Sequence, residues 1–161
     1  STLMRSSAAS DVYKRQVDAI AGVATGAIPQ GALVADALNL PFVYVRSTPK
    51  DHGLENLIEG ELRPGMKVVV VEDLISTGGS SLKAVEAIRR DGCEVIGMVA
   101  AYTYGFPVAE KAFKDAKVPL VTLTNYEAVM EVALRTGYIE EEDVETLNEW
   151  RKDPAHWESG K

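Results

Sequence analysis

This chain of 161 residues is short of several things, and each shortage narrows what it can be. A single cysteine, Cys93, rules out an internal disulfide framework and a cysteine-rich zinc site, and suits a reducing, cytoplasmic setting. Positive charge is scarce. Seventeen Lys and Arg against 24 Asp and Glu leave a net charge of −7, which gives no general pull toward nucleic acid or an anionic membrane. An anionic ligand must therefore be gripped by local features. No apolar run approaches the roughly 20 residues that span a bilayer, and the longest are strand-sized. Internal repeats are also lacking, and the length fits one domain with a sizeable core.

The opening sixteen residues, STLMRSSAASDVYKRQ, read differently from the rest. They are rich in Ser, Ala and Arg, show no period, and have no apolar stretch of the kind a secretory signal needs. The expectation is that 1–16 form an unrelated or disordered segment and that 17–161 form the domain.

What is present alternates. VDAIAGVA (17–24) reads as a buried strand ending in the Gly-containing loop TGAIPQG, and ALVADALN (32–39) has helical spacing. FVYVR (42–46) is a strand, STPKDHGLEN (47–56) an exposed loop, LIEGEL a short strand, and RPG (63–65) a turn. KVVVVED (67–73) is the clearest strand, its unbroken apolar run implying burial on both faces. A helix over 78–90 follows, its apolar positions being Leu82, Val85, Ala87 and Ile88. Then come a strand (EVIGMVAAYT), a helix (FPVAEKAFKDA), a strand (VPLVTLT), a helix (NYEAVMEVALRTG) and an acidic helical segment (EEEDVETLNEWRK). This order predicts an α/β fold, a central parallel sheet flanked by helices, with ligands at the carboxyl ends of the strands.

The stretch VVVVEDLISTGGSS carries the chemistry. Ser76, Thr77, Gly78, Gly79 and Ser80 are small enough to let backbone approach an anion, and N–H groups at the start of the next helix can donate to phosphate. It is neither a Walker A loop nor a dinucleotide fingerprint, since neither spacing occurs. Ahead of the turn stand two acids, Glu72 and Asp73, which can accept hydrogen bonds from sugar hydroxyls or sit near a divalent ion. A ribose 5-phosphate satisfies both halves. An acidic strand end followed by an ordinary helix start fits the same residues.

With its paired acids and Thr-Gly-Gly-Ser turn after an apolar strand, VVVVEDLISTGG resembles the phosphoribosyl pyrophosphate (PRPP) signature of the type I phosphoribosyltransferases. The loop R-x-x-x-K-D-H-G, followed by IEGEL, is similar to the catalytic loop of the orotate phosphoribosyltransferases. GVATGAIPQGALVADALNLPFVYVR (22–46) and AAYTYGFPVAEKAF resemble further parts of that group, so the likeness covers roughly 17–150. It implies PRPP and orotate as substrates, Mg²⁺ bound mainly through PRPP, a homodimer whose 46–53 loop acts in the neighbouring subunit, and a cytoplasmic enzyme of pyrimidine (UMP) biosynthesis. It implies that Arg46, Lys50 and His52 meet the PRPP phosphates, and that Glu72 and Asp73 hold the ribose hydroxyls. Leu74, Ile75, Ser76, Thr77, Gly78, Gly79 and Ser80 would wrap the 5-phosphate, with Ser76 also touching orotate. Lys50, His52 and Asp73 form the expected catalytic set, and no side chain is assigned as a metal ligand.

The likeness has gaps. Some members carry Lys where this chain reads TGA (25–27), or an orotate-binding Arg where it reads TYG (103–105). The family's N-terminal hood, of 40 or more residues, is expected to be truncated here. Taken alone, the loop 46–53 also reads as solvated surface, His156 as a surface histidine, and Cys93 as a small core residue. Tyr102 and Tyr104 fit a base pocket or simple packing equally. Three further readings share the turn: a purine or xanthine phosphoribosyltransferase, a PRPP-binding regulator, and an inactive fragment. The Lys-Asp-His-Gly loop speaks against the first and the negative charge against the second.

Overall fold

The structure, a computed structural model, describes residues 17–46 and 57–157. It forms two compact units, Ser1–Leu123 and Thr124–Lys161. The strands are β1 (Ala19–Val23), β2 (Phe42–Val45), β3 (Ile58–Glu59), β4 (Lys67–Ile75), β5 (Glu94–Thr103) and β6 (Leu120–Asn125). The helices are α1 (Ile28–Leu38), α2 (Gly79–Arg90), α3 (Pro107–Asp115), α4 (Tyr126–Arg135) and α5 (Glu141–Lys152). The element order is the one expected from the alternation of apolar periods.

The strands make one sheet in the order β3-β2-β1-β4-β5-β6. β1 runs parallel to β2 and to β4, β4 runs parallel to β5, and the short β3 lies antiparallel on the β2 edge. Burial on both faces explains the valine run. Val68 and Val70 point into a large core with Val85 and Ile88 of α2 and Phe113 of α3, whereas Val69 and Val71 point into a smaller one with Ile20, Ala27 and Ala35 of the α1 side.

One boundary moved. α1 begins at Ile28, four residues earlier than the apolar spacing suggests, so Pro29 and Gly31 lie inside its first turn. Proline is tolerated there because the first turn's N–H groups have no intrahelical partner. Gly31 is buried, and a side chain at this position would meet the Phe42 ring at 2.7 Å. The glycine is thus a packing requirement rather than a loop signal.

The second unit is held by its own aromatics. The Tyr126 hydroxyl donates to the Leu147 carbonyl (3.3 Å), its ring stacks near Trp150, and the Arg151 guanidinium lies 4.7 Å from the ring centre. His156, as expected of a surface histidine, is exposed, with Nδ1 2.9 Å from an Asp153 carboxylate oxygen.

Candidate active site

The sheet order itself points to a place. After β1 the chain builds β2 on one side, whereas after β4 it builds β5 on the other, so the connections diverge between β1 and β4. In an open α/β sheet that switch leaves a crevice at the carboxyl ends of the two strands. Its walls here are the loop 24–27 after β1, which includes a cis Ala24–Thr25 peptide, and the turn 76–78 after β4.

The turn has the form the sequence suggested. Gly78 sits at φ +82°, a left-handed conformation that side chains rarely adopt, and a Cβ there would also meet the Phe113 ring at 2.9 Å. The first intrahelical bond of α2 runs from Leu82 N–H to Gly78 O (2.9 Å), so the amides of Gly79, Ser80 and Ser81 precede the ladder. Among the described residues no side chain caps them, and no acid occupies the first turn of α2. Gly79, Ser80 and Thr77 are exposed and Ser76 half-buried, leaving the positive end of the helix open to an anion. Ile75 differs. Its side chain is fully buried, it pairs with Thr103 of β5, and its carbonyl accepts from Tyr104 N–H (3.0 Å), so its part in the site is to anchor the turn to the sheet.

The two acids have unequal surroundings. Strand alternation aims Glu72 toward α2 and Asp73 toward the α1 side. Asp73 is half-buried, accepts from Leu74 N–H (2.7 Å), and lies so close to Gly26 that a Cβ there would stand 1.9 Å from its Oδ2. Glu72 is buried at 5% exposure. Its Oε2 accepts from the Ser81 hydroxyl (2.7 Å) and its Oε1 from Asp73 N–H (3.0 Å). Burial, reinforced by the neighbouring Asp73 side chain, pushes the Glu72 carboxyl up to about 7 against the pull of those two donors. Two anions side by side are thus reconciled in part by a proton near neutral pH.

Arg46 ends β2. Its N–H donates to Leu57 O (2.8 Å), and its guanidinium pairs with Glu59 of β3 at 3.4 Å. These contacts pin the base of the segment that joins β2 to β3. Lys50 and His52, expected on that segment, lie outside the described residues. Around the end of β5, Tyr102 packs edge-on against Tyr104 (5.0 Å) and Tyr104 stacks on Phe106 (5.4 Å). Cys93 is buried, as expected of a core residue, with its thiol donating to Arg63 O at 3.2 Å.

Residues 3–135 match the family model described as "Phosphoribosyl transferase domain". An orotate phosphoribosyltransferase of Bacteroides fragilis is 96% identical over 146 residues, which is 91% of this chain and 69% of that protein. The chain belongs to the orotate phosphoribosyltransferases. The enzyme of that name from Bacteroides thetaiotaomicron is 94% identical over the same shares of both chains. At longer range, the crystal structure of orotate phosphoribosyltransferase from Aeropyrum pernix superposes with a TM-score of 0.67 at 32% identity, covering 78% of this chain and 68% of that one. The type I phosphoribosyltransferase fold expected of the sequence is therefore the one observed.

Three residues around the candidate site escaped the sequence reading. Gly26 was one glycine in a loop, and only the contact with Asp73, 47 positions away, gives it weight. Glu59 lay within IEGEL without a role. Ser81 did leave a signal, being a polar residue on the α2 face defined by Ala84, Val85 and Ile88.

Proposed function

We propose that this chain transfers the 5-phosphoribosyl group of PRPP to orotate, giving orotidine 5′-monophosphate and pyrophosphate in UMP biosynthesis. The observation that carries the reading is 96% identity, across 91% of the chain, to a protein named for that activity. The site is consistent with it. The 5-phosphate would lie in the turn of residues 74–80, against the open amides of α2, and the ribose hydroxyls would meet Glu72 and Asp73. Ser76, at the head of the turn, would also touch orotate.

The reaction breaks the bond between the anomeric carbon and pyrophosphate and forms one from that carbon to the orotate ring nitrogen. Positive charge develops on the sugar and negative charge on the leaving group. Arg46, Lys50 and His52 would neutralise the latter, with Lys50, His52 and Asp73 closest to the chemistry. The 46–53 loop would act in the neighbouring subunit of a homodimer. Mg²⁺ would arrive on the phosphates of PRPP and add charge neutralisation there. Among the described residues no group of three or more His, Cys, Asp or Glu side chains gathers as a metal cage, and the oxygen-rich phosphates suit a hard cation. No helix among the described residues is long and apolar enough to cross a membrane, and the reading is of a cytoplasmic enzyme that binds neither membrane nor nucleic acid.

The test is to mix the protein with PRPP and Mg²⁺ and to follow absorbance with orotate, adenine, hypoxanthine or xanthine in turn. Consumption of orotate alone, strongly reduced by Lys50→Ala, is the expected result. Turnover of a purine instead would assign the other branch of the family. PRPP binding with no turnover of any base would point to a regulator or an inactive fragment.

A further inference from the structure

Glu72 and Ser81 are the buried polar side chains among the described residues, and they are hydrogen-bonded to each other. Buried polar groups require partners, and this pair supplies its own at the edge of the site. Ser81 occupies an inner-face position of α2, where Ala84, Val85 and Ile88 pack into the core. A serine there forgoes apolar burial. A serine early in a helix commonly bonds to its own backbone, yet this hydroxyl donates across to β4, nine residues back. The bond closes a ring around residues 73–80, tying the end of the strand to the start of the helix. The anion-binding turn lies wholly within that ring.

We propose that Ser81 is a positioning residue for PRPP binding, its buried hydroxyl fixing the Glu72 carboxylate in the orientation in which it receives the ribose. The inference rests on the PRPP reading of the site. Its logic is a competition for one proton. A protonated Glu72 carboxyl is a donor and can engage the neighbouring Asp73 carboxylate, and an oxygen so engaged is lost to a ribose hydroxyl. A hydroxyl donor on Glu72 favours the anion and so releases Asp73. The Ser81 bond is one of the two donors that oppose burial at Glu72, the other being Asp73 N–H. No other charged group faces this carboxyl among the described residues. β5 places Ala100 opposite it, β1 contributes Gly22 and Val23 nearby, and α2 turns Lys83, Glu86, Arg89 and Arg90 to solvent. Asp73 is the one charge that acts on it.

The experiment has two readouts, taken on the unaltered protein, Ser81→Ala and Ser81→Thr. The first is the ¹³C carboxyl titration of Glu72 without ligand, with the resonance assigned by its loss in Glu72→Gln. The second is PRPP affinity with Mg²⁺, measured by calorimetry between pH 6 and 8.5. Ser81→Ala is expected to raise the Glu72 midpoint by roughly half to one pH unit. It should weaken PRPP binding severalfold at the acid end and little at the alkaline end, with Ser81→Thr restoring both. An unmoved midpoint, or a loss of affinity equal at every pH, would overturn the proposal and leave Ser81 a packing residue. If Ser81→Ala does not fold, Ser81→Cys, close in size but a weak donor, takes its place with the same expectations. Should the unaltered protein bind no PRPP at any pH while Ser81→Ala still moves the midpoint, the functional reading fails and the role at PRPP falls with it.

Discussion

The helices of the two compact units begin in opposite ways. In the second unit, the Asn125 side chain accepts from Ala128 N–H (2.9 Å) at the start of α4, and Glu140 N–H donates to Asp143 (2.9 Å) at the start of α5. α5 also carries Glu141, Glu142 and Asp143 in its first turn, which answer the positive end of the helix. In the sheet unit, α1 and α2 begin on Ala27 and Gly78, with no side-chain cap and no acid in the first turn. α3 is likewise without a cap but has Glu110 in its first turn. The backbone donors are the same in every case. What differs is whether the chain satisfies them itself, and it refrains at the two helix starts that follow β1 and β4.

The contrast can be broken by substitution, beginning where the effect is largest. Gly26→Ala should cut turnover about 100-fold with little loss of stability, because the new Cβ displaces Asp73 Oδ2 while the acid's far end is free to swing. Steady-state rates beside a thermal melt check this. Gly78→Ala should cost about 1–3 kcal/mol of stability and also weaken PRPP binding, since both its φ and the Phe113 ring oppose a side chain. Denaturant titration with calorimetry reads both losses. Asn125→Ala should cost about 1 kcal/mol and leave PRPP affinity unchanged; a loss of affinity would mean that the caps and the site are not separate systems. Gly79→Ala should shift stability by no more than about 0.5 kcal/mol, because its position is open, yet lower PRPP affinity severalfold if the bare backbone there meets phosphate.

Glu72 adds a dependence on pH. Its carboxyl is raised in the folded chain from the ordinary 4.5 to about 7. The protonated form therefore favours folding, and that contribution is present in full below about 4.5 and is lost as pH rises through about 7. Glu72→Gln should thus gain in Tm relative to the unaltered protein as pH goes from 5 to 8, without ligand. A constant difference across that range would mean that the carboxyl titrates as though exposed.

The sequence was legible where local pattern and tertiary demand agree. The run of Val68 to Val71 reads as a central parallel strand because both faces of β4 are covered, and the small residues after it read as a tight turn because Gly78 must take a left-handed conformation. It was opaque where a residue's reason lies elsewhere in the chain. Gly31 looks like a loop glycine until Phe42 is seen beside it, and Gly26 looks idle until Asp73 arrives from β4. Both acids were read as holders of the ribose hydroxyls, Asp73 with a catalytic part as well, and nothing in the sequence separated their surroundings. Burial on one side of the strand makes Glu72 the inner member, tied to Ser81, and Asp73 the outer one.

The lone cysteine has a practical consequence. Cys93 is 6% exposed, its thiol is engaged with the Arg63 carbonyl, and burial and the nearby Asp91 hold its ionisation above the usual range. Thiolate is the species that maleimides and iodoacetamides capture, so this residue should label slowly in the folded protein. A second cysteine introduced at the exposed Ser80 position would then take up a dye or spin label against almost no background. The signal of that single label would report any ligand that binds the turn, without first removing a natural thiol.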